Sequence, residues 1–104
     1  MQISDEIKEI QEIILATVPA MQIFLFGSHS KGTEHQGSDY DFYVVIPDEI
    51  LRPLDATRKI SMALRSARKR PIDMLVSNES KFNYRKNVYS IEKEVFNNGV
   101  KLYG

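Results

Sequence analysis

Hydrophobic residues near the start of the chain recur at intervals of three and four positions. They are Ile7, Ile10, Ile14 and Val18. This spacing is typical of an amphipathic helix that buries one side. Ser4 is a suitable N-cap, and the two acidic residues after it favour the positive end of the helix dipole. The pattern therefore predicts a helix over residues 5–15, which Pro19 ends.

Three short apolar runs follow a different pattern. They occupy residues 21–26, 42–46 and 72–77. Each contains β-branched or aromatic residues and is bounded by glycine, serine or proline, which is typical of strands. In the third run Ile72, Met74 and Val76 share one face, which leaves Asp73 on the other.

Two further helices are predicted between and after these strands. An apolar stripe formed by Ile60, Ala63, Leu64 and Ala67 indicates a helix over residues 54–68, after a loop over residues 47–53. A last helix carries Ile91 and Val95 and ends at a Gly99 C-cap. Residues 77–87 form a polar patch with no element assigned. Alternating helices and strands predict an α/β (α+β) fold, a small mixed β-sheet packed with helices.

The length and composition of the chain restrict the class of protein to which it can belong. The chain has 104 residues, and its 14 basic and 14 acidic side chains give no net formal charge. That length predicts a single domain over residues 1–104. No apolar run approaches the ~20 residues of a membrane span, and the charged N-terminus is unlike a secretory signal. Without cysteine there are no disulfides or thiolate metal sites. We expect a cytoplasmic protein with no membrane contact.

Two aspartates stand one residue apart at the start of the second run. Asp39 and Asp41 would project from the same strand face, while Tyr40 and Phe42 turn the other way into a core. Adjacent carboxylates repel each other, and a divalent cation is the usual way to neutralise them. The alternative is that both are ordinary turn or strand-edge carboxylates, since Asp is common beside Ser and Gly in loops.

The segment that follows the first strand has the composition of a phosphate-binding turn. Gly27 lets the backbone approach a ligand or adopt positive φ, and Gly32 allows a second bend. Successive N–H groups form an anion-binding concavity, to which Ser28 adds a hydroxyl. Ser28 capping a short helix would use the same N–H groups, so both interpretations are compatible. Lys31 is a candidate to neutralise phosphate, with a solvated loop lysine as the alternative.

A third carboxylate completes the candidate site. If the third strand lies beside the second, Asp73 meets Asp39 and Asp41. There it could share a metal and take a proton from an attacking hydroxyl. A triphosphate and two metal ions in one site are the parts that phosphoryl-type transfer needs. Mg²⁺ is favoured over Ca²⁺, because it binds through a few carboxylates plus substrate phosphates. An acid on the solvated face of a sheet is the alternative for Asp73.

These residues together resemble the DNA polymerase β-like nucleotidyltransferase superfamily. The pattern is Gly27-Ser28, ten residues, Asp39-Tyr40-Asp41 and a later Asp73 on a strand. More narrowly, the chain is similar to the minimal nucleotidyltransferases (MNT), small bacterial or archaeal domains often encoded beside a HEPN-domain partner. The resemblance covers nearly the whole chain, from the leading helix to the closing segment over residues 99–104.

The resemblance implies a reaction and a site. Nucleoside monophosphate, in the narrower family AMP from ATP, would pass from an NTP to a hydroxyl acceptor with release of pyrophosphate. The implied catalytic residues and ligands of two Mg²⁺ ions are Asp39, Asp41 and Asp73. The implied nucleotide-binding residues are Gly27, Ser28, Lys31 and Gly32.

The family also implies a partner, and rival functions remain. An MNT-type antitoxin binds a HEPN ribonuclease toxin and modifies it by AMP transfer, chiefly on tyrosine. One alternative is a catalytically silent module that neutralises its partner by contact alone. Another is transfer to a small molecule, although the chain has no room for an acceptor-binding domain. An oligomer or a partner protein would then have to help.

One stretch of the chain is strongly basic. Residues 52–70 hold seven basic side chains against the single acid Asp55. Arg58, Arg65 and Lys69 fall on one side of the predicted second helix. Such a stripe is either a solvated face or a surface for an acidic partner or nucleic acid. Direct binding of nucleic acid therefore stays open.

Overall fold

Helices and strands alternate along the chain as predicted. The computed structural model describes residues 4–27, 40–65, 67, 72–88 and 90–104. Within these ranges the elements are α1 (Asp5–Thr17), β1 (Gln22–Phe26), β2 (Tyr40–Ile46), α2 (Pro53–Leu64), β3 (Ile72–Asn78), α3 (Glu79–Arg85), α4 (Ile91–Asn98) and β4 (Val100–Tyr103). Ser4 caps α1 as expected, because its hydroxyl accepts the Ile7 amide at 3.2 Å. The helix C-cap at Gly99 is also confirmed.

Helix α2 is shorter than the sequence predicted. Pro53 opens it, but it ends at Leu64 instead of continuing to residue 68. The Arg65 amide bonds to the Met62 carbonyl, three residues back, which tightens the last turn. Among the described residues Leu64 is also the last buried member of the apolar stripe, since Ala67 is only partly buried.

The structure contains two elements that were not predicted. Helix α3 lies inside the polar patch and begins at Glu79, after the N-cap Asn78, whose side chain accepts the Lys81 amide at 3.0 Å. Its single buried residue is Phe82. Strand β4 occupies the closing segment and pairs antiparallel with β1.

The four described strands form one sheet in the order β3-β2-β1-β4. Strand β1 runs antiparallel to both of its neighbours, whereas β2 and β3 are parallel. A parallel pair needs a crossover connection, and α2 lies in that connection. The predicted mixed sheet is therefore confirmed. So is the condition that the third predicted strand lies beside the second.

The two faces of the sheet differ in how they are covered. Helices α1 and α2 lie over the first face and bury Tyr40, Phe42, Val44 and Ile46 in the larger core cluster. Helices α3 and α4 lie over part of the second face. There a smaller cluster joins Phe24, Tyr43, Val45, Phe82 and Val95.

No described helix covers the remainder of the second face, which is called its open part. Asp73 is exposed at the start of β3, and Leu75, two residues further on the same face, is 38% exposed. No helix among the described residues is long and apolar enough to span a membrane.

Candidate functional site

Strand register brings two of the predicted carboxylates together. Asp41 of β2 and Asp73 of β3 are Cα partners in the parallel ladder. Neighbouring strands lie ~4.8 Å apart, so both side chains leave the sheet side by side. Asp41 is partly buried and Asp73 is exposed, both on the open part of the second face. Tyr40 and Phe42 point the other way into the core, as predicted.

Gly27 lies next to Asp41, on the side away from β3. It follows β1, whose last residue Phe26 is the Cα partner of Asp41. Gly27 has φ +77°, a conformation that L side chains rarely adopt. A Cβ built on it would overlap the Asp41 carboxylate. Glycine is therefore required at this position for two reasons: the backbone has a positive φ, and the Asp41 carboxylate occupies the space that a side chain would fill.

Four predicted site residues lie outside the described part of the chain. They are Ser28, Lys31, Gly32 and Asp39. Their assigned roles stay predictions. What the structure brings together is Gly27, Asp41 and Asp73, contributed by the end of β1 and the starts of β2 and β3.

The described donors fit a hard divalent cation. Two carboxylates stand next to each other on a partly open surface, and Mg²⁺ binds through one or two carboxylates plus substrate phosphates. The described residues contain no group of three or more acidic, histidine or cysteine side chains that could hold a metal. A third carboxylate would have to come from Asp39. The fit is therefore to a metal that is bound together with a phosphate ligand.

A buried polar network lies on the same face, beyond the carboxylates. The Tyr43 hydroxyl is 2.7 Å from Ser77 Oγ and 2.7 Å from Glu92 Oε2. Arg85 Nε donates to Glu92 Oε1 at 2.6 Å. The phenol has one proton, which goes to the Glu92 carboxylate because a carboxylate can only accept; Ser77 then donates to Tyr43. Four side chains from β2, β3, α3 and α4 are thus joined.

The titration of this network follows from its burial. Burial raises the pKa of Tyr43 well above its usual value, so the phenol stays a donor. For Glu92, burial works to raise the pKa, but hydrogen bonds from Arg85 and Tyr43 outweigh it and the pKa is lowered from 4.5. The carboxylate therefore stays charged and paired. The network holds α3 and α4 on the sheet and so fixes the border of the open part.

Sequence reasoning missed this network, although one signal was available. Glu92 lies three residues before Val95 and therefore on the apolar side of α4. An acid on a buried helix stripe needs a partner. Its partners are 49 residues away in Tyr43 and seven away in Arg85, and only the fold brings them together.

The sequence matches a known family over most of its length. The family model described as "Polymerase beta, Nucleotidyltransferase" matches residues 8–103. The chain therefore belongs to the polymerase β nucleotidyltransferase family. This confirms the predicted fold and the prediction of a nucleotidyltransferase. A search of curated proteins gives no significant match.

Solved structures share the fold at low identity. A toxin–antitoxin MntA-HpeT variant with two Asp-to-Glu replacements matches with TM-score 0.66 and 22% identity, covering 97% of this chain and 74% of that chain. A toxin–antitoxin structure with AMP-PNP gives TM-score 0.60 and 24% identity, covering 97% and 74%. A proposed nucleotidyltransferase from Sulfolobus solfataricus gives 0.59 and 19%, covering 92% and 75%. At these identities the likenesses show that the chain shares the fold of these proteins.

Proposed function

We propose that this chain is a metal-dependent nucleotidyltransferase that moves AMP from ATP to a hydroxyl on a partner protein, as an MNT-type antitoxin. The observation that carries the proposal is the register of Asp41 with Asp73 beside the positive-φ turn at Gly27. A carboxylate pair next to a backbone turn with no side chain is what joint binding of metal and phosphate requires.

The strand order places Gly27 and Asp73 on opposite sides of Asp41. Gly27 follows β1, while Asp41 and Asp73 are the second residues of β2 and β3, so Asp41 lies between the other two. We assign the β and γ phosphates to the Gly27 side, with Ser28, Lys31 and Gly32 as further contacts. The acceptor hydroxyl is assigned to the Asp73 side, at the exposed edge strand.

Asp39, Asp41 and Asp73 would hold two Mg²⁺ ions. Bound there, the metal ions would neutralise phosphate charge and lower the pKa of the attacking hydroxyl. Two neighbouring carboxylates that repel each other in the free protein favour such a cation. Gly27 leaves room for the Asp41 carboxylate, which a Cβ at this position would overlap.

The proposed reaction is an in-line displacement at the α-phosphorus. The acceptor oxygen forms a bond to the α-phosphorus, and the bond from that phosphorus to the bridging oxygen of pyrophosphate breaks. The hydroxyl proton passes to the Asp73 carboxylate, which is exposed and can reach an acceptor. Pyrophosphate leaves with the bonding electron pair. A positioned general base of this kind typically contributes ~100- to 10,000-fold to the rate.

The proposed partner is a HEPN-type toxin, and the reaction would take place in the cytoplasm. Two observations on neighbours support this assignment: one is a toxin–antitoxin MntA-HpeT pair, and another toxin–antitoxin structure contains AMP-PNP. We propose that residues 1–104 act as one MNT domain, with the partner supplying the acceptor. A tyrosine hydroxyl is the acceptor that the family resemblance suggests.

The test is transfer of labelled AMP to the product of the neighbouring gene. Wild type with ATP and Mg²⁺ should add one nucleotide mass to the partner, detected by mass spectrometry. Asp41→Asn should abolish the transfer. Asp55→Asn is the matched control, because Asp55 lies on α2 beneath the other face of the sheet and pairs with Arg52. It should leave the transfer unchanged.

The outcomes separate the rival functions. If Asp41→Asn transfers as well as wild type, the site is elsewhere. If wild type transfers nothing yet neutralises the partner in cells, the chain acts as a binding module. Transfer to a small-molecule hydroxyl, with none to the protein, would replace the partner by a small-molecule acceptor.

A further inference from the structure

The exposed surface of the α1/α2 layer carries two ridges of opposite charge. The exposed side of α1 carries Asp5, Glu9, Glu12 and Ala16, at helical spacing. With Glu6 and Lys8 included, this helix has four acidic residues and one basic residue, a net charge of −3. The ridge is acidic along its length.

The neighbouring helix has the opposite charge. Residues 52–65 hold four basic residues and one acid, a net charge of +3. Arg58 and Arg65 lie on the solvated side of α2, opposite the buried Ile60. Neither guanidinium group has a hydrogen bond or ion pair with another residue in the described part of the chain. The acid of this stretch, Asp55, is already paired with Arg52 at 3.2 Å.

Two large apolar side chains stand among these arginines. Leu54 is 59% exposed and Met62 is 68% exposed, and both share the side of α2 that carries Arg58 and Arg65. Met and Arg are enriched at protein interfaces relative to the rest of the surface. Nucleic-acid interfaces are more polar and rely on positive charge. The mixture favours a protein as the occupant of this surface.

The two ridges lie side by side, since α1 and α2 share one core cluster on the first face of the sheet. An isologous interface must be complementary to itself. A copy of the chain related by a two-fold axis would place its basic α2 on the acidic α1 and its acidic α1 on the basic α2. A different acidic partner would contact only the basic ridge on α2. A second copy of this chain would contact both the basic ridge on α2 and the acidic ridge on α1.

We infer that this chain forms a weak, salt-sensitive homodimer through the exposed sides of α1 and α2. Each helix is about 20 Å long and packs about 10 Å from its neighbour, so the layer offers about 400 Å² per copy. Stable interfaces bury about 800 Å² per partner, which sets the expected affinity in the micromolar range or weaker. The sheet separates this surface from Asp41 and Asp73, so the site stays open in the dimer and the inference is independent of the proposed reaction.

Sedimentation velocity with charge-reversed variants tests the inference. One variant is Arg58→Glu with Arg65→Glu, which makes both ridges acidic. The other is Glu9→Arg with Glu12→Arg, which makes both basic. Each variant alone should be monomeric, because every contact across the two-fold axis then joins like charges. An equal mixture should form heterodimers, because both contacts become attractive. Circular dichroism of each variant checks that it is folded.

Salt and a matched control complete the experiment. Wild type should dimerise at low salt and dissociate at about 1 M salt, where the screening length falls to about 3 Å. Lys81→Glu with Lys93→Glu makes the same change in net charge on α3 and α4, over the other face, and should dimerise like wild type. A wild type that stays monomeric up to about 1 mM at low salt would overturn the inference. So would variants that dimerise unchanged, or a mixture of folded variants that stays monomeric.

Discussion

The two faces of the sheet are built for different purposes. The first face is covered by α1 and α2 along its length, and the described cluster there is apolar, with the Tyr40 hydroxyl bonded to Glu6 at 2.9 Å. The second face is covered only in part. Its core is small, its helices are held by a charged network, and its uncovered end carries Asp41 and Asp73.

This difference allows one strand to serve both stability and the proposed chemistry. Residues of β2 alternate between the faces, so Phe42 and Val44 stabilise the domain while the partly buried Asp41 lies on the second face. Adjacent like charges are destabilising for the free protein. The large apolar core of the first face offsets that cost, because burial of large aliphatic side chains contributes about 1.5–3 kcal/mol each.

The largest effect is expected at the open end of the second face. Asp73→Asn should lower AMP transfer by about 100- to 10,000-fold, since it removes the proposed base. The free energy of unfolding should stay within about 0.5 kcal/mol of wild type, because the residue is exposed. Single-turnover transfer and urea unfolding measure the two quantities. A variant that loses stability in proportion to activity would mean that the two faces are not separate in function.

A substitution of a buried residue of the first face should lower stability strongly and leave transfer unchanged. Ile60→Ala is expected to lower the free energy of unfolding by about 2–5 kcal/mol through lost burial and a cavity. Transfer per folded molecule should stay unchanged. Leu75→Ala, on the uncovered part of the second face, is the comparison and should cost about 1 kcal/mol, because part of that side chain is already in water. Equal costs at both positions would contradict the difference in burial.

The buried network should have an intermediate effect with a pH signature. Tyr43→Phe removes the hydroxyl that bonds to Ser77 and Glu92 and should cost about 1–3 kcal/mol. The folded pKa of Glu92 lies below its ordinary value of 4.5. The folded state thus binds fewer protons, so the stabilisation is complete above that pH and is lost as the pH falls through the folded pKa.

The measurement is the free energy of unfolding as a function of pH. Because Tyr43 is one of the groups that lower the pKa of Glu92, Tyr43→Phe should reduce the loss of stability below pH 4.5. Glu92→Gln should remove the contribution of this residue entirely. An unchanged slope in both variants would show that Glu92 does not titrate differently in the folded state.

A moderate effect on stability is expected at Gly27. Gly27→Ala forces a Cβ into a positive-φ conformation, at a cost of about 1–2 kcal/mol, and pushes against the Asp41 carboxylate. Affinity for ATP with Mg²⁺ should fall by more than this strain predicts, because the carboxylate is displaced. Calorimetric titration checks this, and unchanged affinity would place the phosphate site elsewhere.

The parts of the fold that were predictable are those set by local periodicity. The isoleucine spacing and the Ser4 cap predicted α1. The alternation of side chains along a strand predicted that Asp73 and Met74 lie on opposite faces of β3. Helix α3 was not predictable in this way. Its one buried side chain is Phe82. The centroid of the Phe82 ring lies 5.5 Å from that of Phe24 and 5.4 Å from that of Tyr43. Tertiary contacts therefore stabilise this helix.

The candidate site was predictable in composition but not in arrangement. The sequence indicated Gly27, Asp41 and Asp73 as members, each from its place next to a strand. Their meeting required β2 to lie between β1 and β3, and no local pattern fixes the order of strands in a sheet. The Glu92 network likewise depends on contacts between distant elements.

The location of the metal is the most direct test of the carboxylate site. Mn²⁺ added to the isotope-labelled protein broadens the amide signals of residues close to it. Signals of Gly27, Asp41 and Asp73 should broaden first, and ATP should strengthen the effect, because phosphate oxygens complete the coordination. Broadening confined to the acidic ridge of Asp5, Glu9 and Glu12, with no effect at Asp41 and Asp73, would contradict the proposed site.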